Sequence, residues 1–198
     1  TEGKEGESLS LRLELRLLAD IGLLGKPNAG KSSLVRAVSS AKPKVADYAF
    51  TTLHPSLGVV DYSDSSSFVI SDIPGLIAGA SQGVGLGIQF LKHLARTRVI
   101  VQIVDIYDKS PVDVMEEIEE LTIEIKDYDS DLVEKVKWLV LNKIDLIDDS
   151  ELDALVDELK IKYEGALNIY CISAAKKLGT QQLMREIGTY MESFDEQE

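Results

Sequence analysis

The sequence predicts an α/β fold: a mostly parallel sheet with one antiparallel strand and helices on both faces. Three observations predict it. Apolar runs of strand length alternate with segments of helical periodicity along most of the 198 residues. A glycine-bearing loop joins the first apolar run to the first helix, and one polar turn joins two neighbouring strands directly. Taken in order, residues 18–24 read as a buried strand and 31–40 as a helix. Residues 57–62, 67–71, 99–105, 136–141 and 167–172, rich in Val, Ile and Leu, read as further strands. Residues 84–97, 112–126, 151–164 and 178–192 carry apolar side chains at three- and four-residue spacing and read as helices. The polar stretch 61–67 (DYSDSSS) predicts a hairpin, and hence the antiparallel strand. Ahead of all this, Leu9, Leu11, Leu13, Leu15 and Leu17 alternate with Ser10, Arg12, Glu14 and Arg16, the period of a half-buried strand. Residues 1–17 are therefore expected to stand apart from one domain spanning 18–198.

Composition narrows the function. With 44% hydrophobic residues the chain suits a packed domain, and its longest apolar runs, such as 99–104, are too short for a bilayer span. The opening residues carry neither a secretory nor a transit pattern, so a cytoplasmic setting is expected. A formal net charge of −13 argues against holding nucleic acid through a general field, because such binding needs Lys and Arg to displace counterions. Acidic runs at 113–131, 145–158 and 192–198 are expected to be mostly solvated helix faces. The single cysteine, Cys171, has no disulfide partner in the chain and is expected to be a small buried side chain.

The first chemical motif is Gly25-Lys26-Pro27-Asn28-Ala29-Gly30-Lys31-Ser32, a full match to GxxxxGKS between a strand and a helix. Backbone N–H groups of such a loop surround phosphates, Gly25 and Gly30 permit close approach, Lys31 reaches the outer phosphates, and the Ser32 hydroxyl can ligate Mg²⁺. This leaves kinases, ATPases and GTPases open. A nucleotide kinase would also need a second substrate site and an Arg-bearing lid, which the sequence does not display.

The base-reading segment favours guanine. Asn142-Lys143-Ile144-Asp145 ends an apolar strand at the edge where such sheets place ligands. An ionised Asp145 only accepts hydrogen bonds, so it can receive both the ring N–H and the exocyclic amine of guanine; adenine lacks that pair of donors. NKxD resembles the guanine motif of GTPases, in which the Asn braces the phosphate loop and the Lys stem covers the base. Ser173-Ala174-Ala175 resembles the segment whose backbone meets the guanine oxygen.

Asp72-Ile73-Pro74-Gly75 matches DxxG: Asp72 can hold Mg²⁺ through a water, and the Gly75 N–H can meet the terminal phosphate. Thr52, in the loop 42–56, has the place of a switch threonine completing the Mg²⁺ shell, with Thr51 as the alternative.

Beyond these motifs, GKPNAGKSS, KPKVADYAFTTLHPSLG, DIPGLIAGASQGVGLGIQFLKHLART and NKID resemble the Obg family of ribosome-associated GTPases from about Leu11 to Gly188. The resemblance implies a P-loop NTPase fold of the Ras-like GTPase type. It makes Thr52 the switch ligand, with Phe50, Thr51, Leu53 and His54 beside it at the nucleotide. It also makes 1–17 the tail of a glycine-rich N-terminal domain. GTP and GDP are the implied ligands, with stress-linked guanine nucleotides as further candidates, and assembly of the large ribosomal subunit is the implied role. Contact with that subunit or its RNA would run mainly through the missing domain, and the chain itself is expected to be a monomer. Ala78 stands where the family usually has Glu, so that carboxylate is absent here, and Ala49 replaces a common Pro.

The expected reaction is attack of water on the γ-phosphate of GTP, with Lys31 and Mg²⁺ absorbing charge, Thr52 ordering the water and Gly75 contacting the phosphate. Leu76 follows DxxG where many GTPases have a water-orienting Gln, so slow turnover is expected, and a GDP/GTP-controlled binding module with negligible hydrolysis is the rival. Neither Gln82 nor Gln89 has the spacing to substitute. His54 and His93 read as surface or packing residues rather than bases. Glycines 79, 83, 85 and 87 suit a backbone that rearranges with the nucleotide. Asn28 resembles the asparagine of potassium-stimulated GTPases, which makes K⁺ a candidate second cation.

Overall fold

The computed structural model describes residues 19–45, 55–72 and 85–195, and within them the expected α/β architecture is present. The strands are β1 (Ala19–Leu24), β2 (Lys44–Val45), β3 (Ser56–Asp61), β4 (Ser67–Asp72), β5 (Thr97–Asp105), β6 (Val136–Asn142) and β7 (Asn168–Ile172). The helices are α1 (Lys31–Val38), α2 (Gly85–Leu94), α3 (Pro111–Tyr128), α4 (Ser130–Glu134), α5 (Asp149–Lys162) and α6 (Thr180–Asp195). The alternating leucines at 9–17 lie outside the described residues.

Among the described residues one sheet runs β2-β3-β4-β1-β5-β6-β7. β1, β4, β5, β6 and β7 are parallel, and β3 alone opposes its neighbours β2 and β4, as the polar turn predicted. β1 is buried on both faces from Ile21 to Leu24, as its apolar run requires, while Asp20 near its start is partly exposed and accepts the Val69 N–H at 2.8 Å. It lies between β4 and β5, so strand order reverses beside it, and the carboxyl ends of strands at such a point are where α/β sheets place ligands. Leu34 and Val35 of α1 pack with Leu183, Ile187 and Met191 of α6 on one face. On the other, Phe90, Leu91 and Leu94 of α2 meet Leu121 and Ile125 of α3, and Val114 and Ile118 of α3 meet Leu155 and Leu159 of α5. None of the described helices is long and apolar enough to cross a membrane.

Several boundaries shift for local reasons. α2 stops at Leu94 and Thr97 opens β5, because the Thr97 hydroxyl donates to the Leu94 carbonyl at 2.8 Å and the side chain is buried in the turn. A Cβ on Gly22 would come within 2.8 Å of Leu94 Cδ1 and 2.9 Å of Thr97 Oγ1, so the glycine lets this turn press against β1. α1 ends two residues early, with Ser39 extended. α3 begins at Pro111 through a capping box in which Ser110 and Asp113 satisfy each other's backbone N–H groups. β2 and α4 are too short to show a period. The aromatic ring of Tyr62, at the hairpin, lies where a Cβ on Gly188 would have to go, and its hydroxyl donates to Glu192 at 3.0 Å, fastening α6 to the hairpin.

Among the described residues the acidic runs are mostly solvated, with two exceptions on α3. Glu117 and Glu124 are buried at 4% and 9% exposure, and Glu117 accepts from Lys109 at 2.5 Å. Cys171 is partly rather than fully buried, and burial pushes its thiol up.

Candidate functional site

The phosphate loop leaves β1 and enters α1 as the motif requires. A Cβ on Gly25 would collide with the carbonyl oxygen of Ile103, and one on Gly30, at φ +100, with the Asn142 side-chain amide. Both glycines are therefore dictated by close approach, and Gly30 also by its left-handed backbone. Asn28, at φ +65, also takes the left-handed conformation, which Asn tolerates better than most residues. Ala29 is buried, Pro27 and Asn28 are exposed, and the Ala29 N–H donates to the Lys26 carbonyl at 3.2 Å. No acidic residue occupies the first turn of α1, which leaves the positive end of its dipole uncompensated.

Lys31 is buried, and its ammonium donates to the carbonyls of Gly25 at 2.7 Å and Lys26 at 3.0 Å. Burial pushes its pKa down, opposed by the charges of Asp72 and Glu117. Lys26 reaches the other way, to Glu120 of α3 at 2.6 Å.

Asp72 ends β4 at 6% exposure, and its Oδ1 has no hydrogen-bond partner among the described residues. An ionised buried oxygen left unpaired is costly, and a hydrated cation would satisfy it. Ser32, in the first turn of α1, is exposed. No cluster of three or more His, Cys, Asp or Glu is found among the described residues. Phe50, Thr51, Thr52, Leu53 and His54, and Ile73, Pro74 and Gly75 with Leu76 and Gln82, lie outside the described residues, as does the side chain of Gln89.

The residues of the NKID and SAA segments converge on the same edge. Asn142, 2% exposed, donates through Nδ2 to the Ala29 carbonyl at 2.8 Å and accepts from the Ala174 N–H at 3.0 Å. One side chain thus ties the phosphate loop to the turn after β7. Lys143 follows at φ +72 and starts the 3₁₀ turn Ile144–Leu146. The Asp145 carboxylate lies 3.5 Å from the Lys176 ammonium, and a hydrogen bond from Ser173, with the Lys176 charge behind it, holds its pKa below the usual carboxylate range. Ser173 is fully buried and exchanges both backbone hydrogen bonds with Leu178, closing a turn that leaves Ala175 exposed.

Three participants at this edge escaped the sequence reading: Asp105, which pairs with Lys143 at 2.5 Å, Lys176 beside Asp145, and Glu117 near Lys31. For Asp105 the available signal was an acidic residue closing an apolar strand at the ligand edge. His93 is a buried packing residue, held below its ordinary pKa by burial. A cavity of about 380 Å³ lies elsewhere, between α1, the hairpin and α6, lined in part by Val38, Tyr62 and Arg185.

A family model described as 50S ribosome-binding GTPase matches residues 20–143. Among solved structures, an Era variant from Aquifex aeolicus bound to GDP·AlF4⁻ is similar with a TM-score of 0.63 and 24% identity, over 87% of this chain and 56% of that one. The G domain of the T. maritima FeoB iron transporter gives 0.64 and 20%, over 86% and 97%. Era in complex with MgGDPNP and a segment of 16S ribosomal RNA gives 0.61 and 27%, over 86% and 55%. The chain spans little more than half the length of these Era chains. With the family model covering well over half of its residues, the chain belongs to the 50S ribosome-binding GTPase family.

Proposed function

We propose that the chain is a Mg²⁺-dependent GTPase domain of the Obg type, which binds GTP and GDP, hydrolyses GTP slowly and serves as a nucleotide switch in assembly of the large ribosomal subunit. The observation that carries the nucleotide reading is Asn142, whose one side chain joins the phosphate loop at Ala29 to the Ser173–Ala174 turn while Asp145 stands three residues on. The ligands of the Era structures, GDP·AlF4⁻ and MgGDPNP, support the same reading. The ribosomal role rests on the Obg-like motifs and on the family.

In this reading the loop N–H groups and the N-terminus of α1 hold the phosphates, and Lys31 exchanges its carbonyl partners for phosphate oxygens. Ser32, Thr52 and, through water, Asp72 would hold Mg²⁺, which when bound neutralises charge on the phosphate oxygens. Asp145 accepts the two guanine donors, and the exposed turn at Ala175 faces the base oxygen. Water attacks the γ-phosphorus as the bond to the bridging oxygen breaks, giving GDP and phosphate. Thr52 orders that water and Gly75 contacts the γ-phosphate. Residues 18–198 form the nucleotide domain, and 1–17 belong to a preceding one. Leu76 favours a second reading, a GDP/GTP-controlled binding module with negligible hydrolysis.

Fluorescent GDP and GTP binding, followed by single-turnover hydrolysis with and without large ribosomal subunits, tests both. Binding with slow hydrolysis that the subunits accelerate supports the first reading. Tight binding with no hydrolysis in either condition supports the second, and adenine nucleotides binding as well as guanine overturns both.

A further inference from the structure

We propose that Asp105 is a positioning residue of the guanine site, holding Lys143 so that its stem is set over the base before the nucleotide arrives. The proposal rests on the nucleotide reading above. Asp105 closes β5 directly opposite Asn142 in the parallel pairing with β6, so it stands beside the start of the base-reading segment. Both of its carboxylate oxygens are engaged: Oδ2 takes the Lys143 ammonium at 2.5 Å, and Oδ1 accepts the Tyr107 N–H at 3.0 Å. The second bond fixes the carboxylate, and the fixed carboxylate fixes the lysine. The backbone supports the same arrangement from below, since the Ile106 N–H donates to the Asn142 carbonyl at 3.3 Å. Lys143 itself sits at φ +72, in the left-handed region, where the chain leaves β6 for the 3₁₀ turn.

The physical reason for such a clamp is entropic. A lysine stem has many rotamers in water, and covering a base with it means ordering them at the moment of binding. The pair is only partly exposed, with the lysine side chain at 32% and the aspartate at 19%, so it is better shielded than a surface ion pair. Holding the ammonium in the unliganded protein removes most of that ordering from the binding step. This is preorganisation, and it costs nothing when the ligand arrives.

The test is a double-mutant cycle on GDP affinity with Asp105→Asn and Lys143→Met. Asn keeps an oxygen for the Tyr107 N–H and removes the charge, so the local turn is preserved. Asp105→Asn should weaken GDP about three- to tenfold, the range expected for ordering one long side chain. It should have no further effect in the Lys143→Met background, and Asp105→Glu should recover part of the loss. Thermal unfolding without nucleotide confirms that each variant is folded; Asp105→Ser, whose hydroxyl oxygen can still accept the Tyr107 N–H, serves if Asn perturbs the turn. Unchanged or tighter GDP binding in Asp105→Asn, or an equal loss in both backgrounds, overturns the positioning role while leaving the nucleotide site intact. Absence of guanine-nucleotide binding by the unaltered chain overturns the underlying reading, and this proposal with it.

Discussion

Asn142 donates its side-chain amide to the carbonyl of Ala29 at 2.8 Å, a bond between residues 113 positions apart in sequence that seats the phosphate loop on the end of β6. The same side chain accepts from Ala174, so its removal strands two backbone groups at once. Asn142→Ala should cost about 1–3 kcal/mol of stability, the range for an unsatisfied buried group. Urea unfolding checks this, and GDP affinity should fall in the folded variant. A variant as stable as the parent would show that water replaces the amide without loss.

Asp145→Asn should move preference from GTP towards xanthosine triphosphate, because an amide offers a donor to the xanthine oxygen that replaces the guanine amine. Sites that read buried hydrogen bonds discriminate by about 10⁴, so competition binding will resolve the change. Unaltered GTP selectivity would remove Asp145 from the base site. The pH dependence has a definite sign. Ser173, and then Lys176, keep the carboxyl below its ordinary pKa, against a smaller upward effect of burial. A depressed carboxylate stays ionised above its folded value and is lost only as pH falls through it. GDP affinity assigned to Asp145 should therefore hold level into the range where free carboxylates protonate and decline only below it.

Lys31→Ala and Ser32→Ala should each severely weaken Mg²⁺-nucleotide binding or turnover, whereas Cys171→Ser should leave turnover nearly intact. Lys31 is buried against the loop carbonyls, while Cys171 lies on β7 away from the loop. Equal losses in all three, with lowered melting temperatures, would mean that misfolding and not chemistry is being measured.

Hydrolysis should be faster in KCl than in NaCl at matched ionic strength, and Asn28→Ala should abolish most of the difference while still binding GDP. A cation beside the phosphates would take up developing charge as an arginine finger does; fingers are worth about 10³–10⁵ in rate, and a weakly held K⁺ should deliver less. Asn28 is exposed on the loop, where such a cation could reach it. Equal rates in the two salts, under saturating GTP and Mg²⁺, would reduce Asn28 to a loop residue suited to φ +65.

The parts of the site legible in the sequence are those that lie together in it. Gly25 to Ser32 and Asn142 to Asp145 each carry their chemistry within a few consecutive positions, and the strand before each places it at the sheet edge. The strand order was not legible beyond the hairpin, because neighbours such as β1 and β5 are set by long-range packing that no local period reports. Asp105 was missed for that reason: its meaning comes from standing opposite Asn142 across β5 and β6. Glu117 was hidden by its company, since an acidic helix run looks solvated until Lys109 is found beside it. Thr97 was assigned to a helix because the apolar period of α2 continues past the residue where its hydroxyl ends the turn.

The central place of β1 bears on how the chain is made. Its partners β4 and β5 come later in the chain, and β5 begins only at Thr97, so an apolar strand edge stays unpaired while the intervening segment is synthesised. Unpaired edges of this kind invite wrong pairing, and closing them over such separations is slow. The phosphate loop, though encoded near the start, is not seated until residue 142 arrives to hold Ala29. A nascent chain stopped short of that point carries the complete GxxxxGKS sequence without the Asn142 side chain that holds Ala29, so nucleotide would stabilise chains extended past it more than shorter ones.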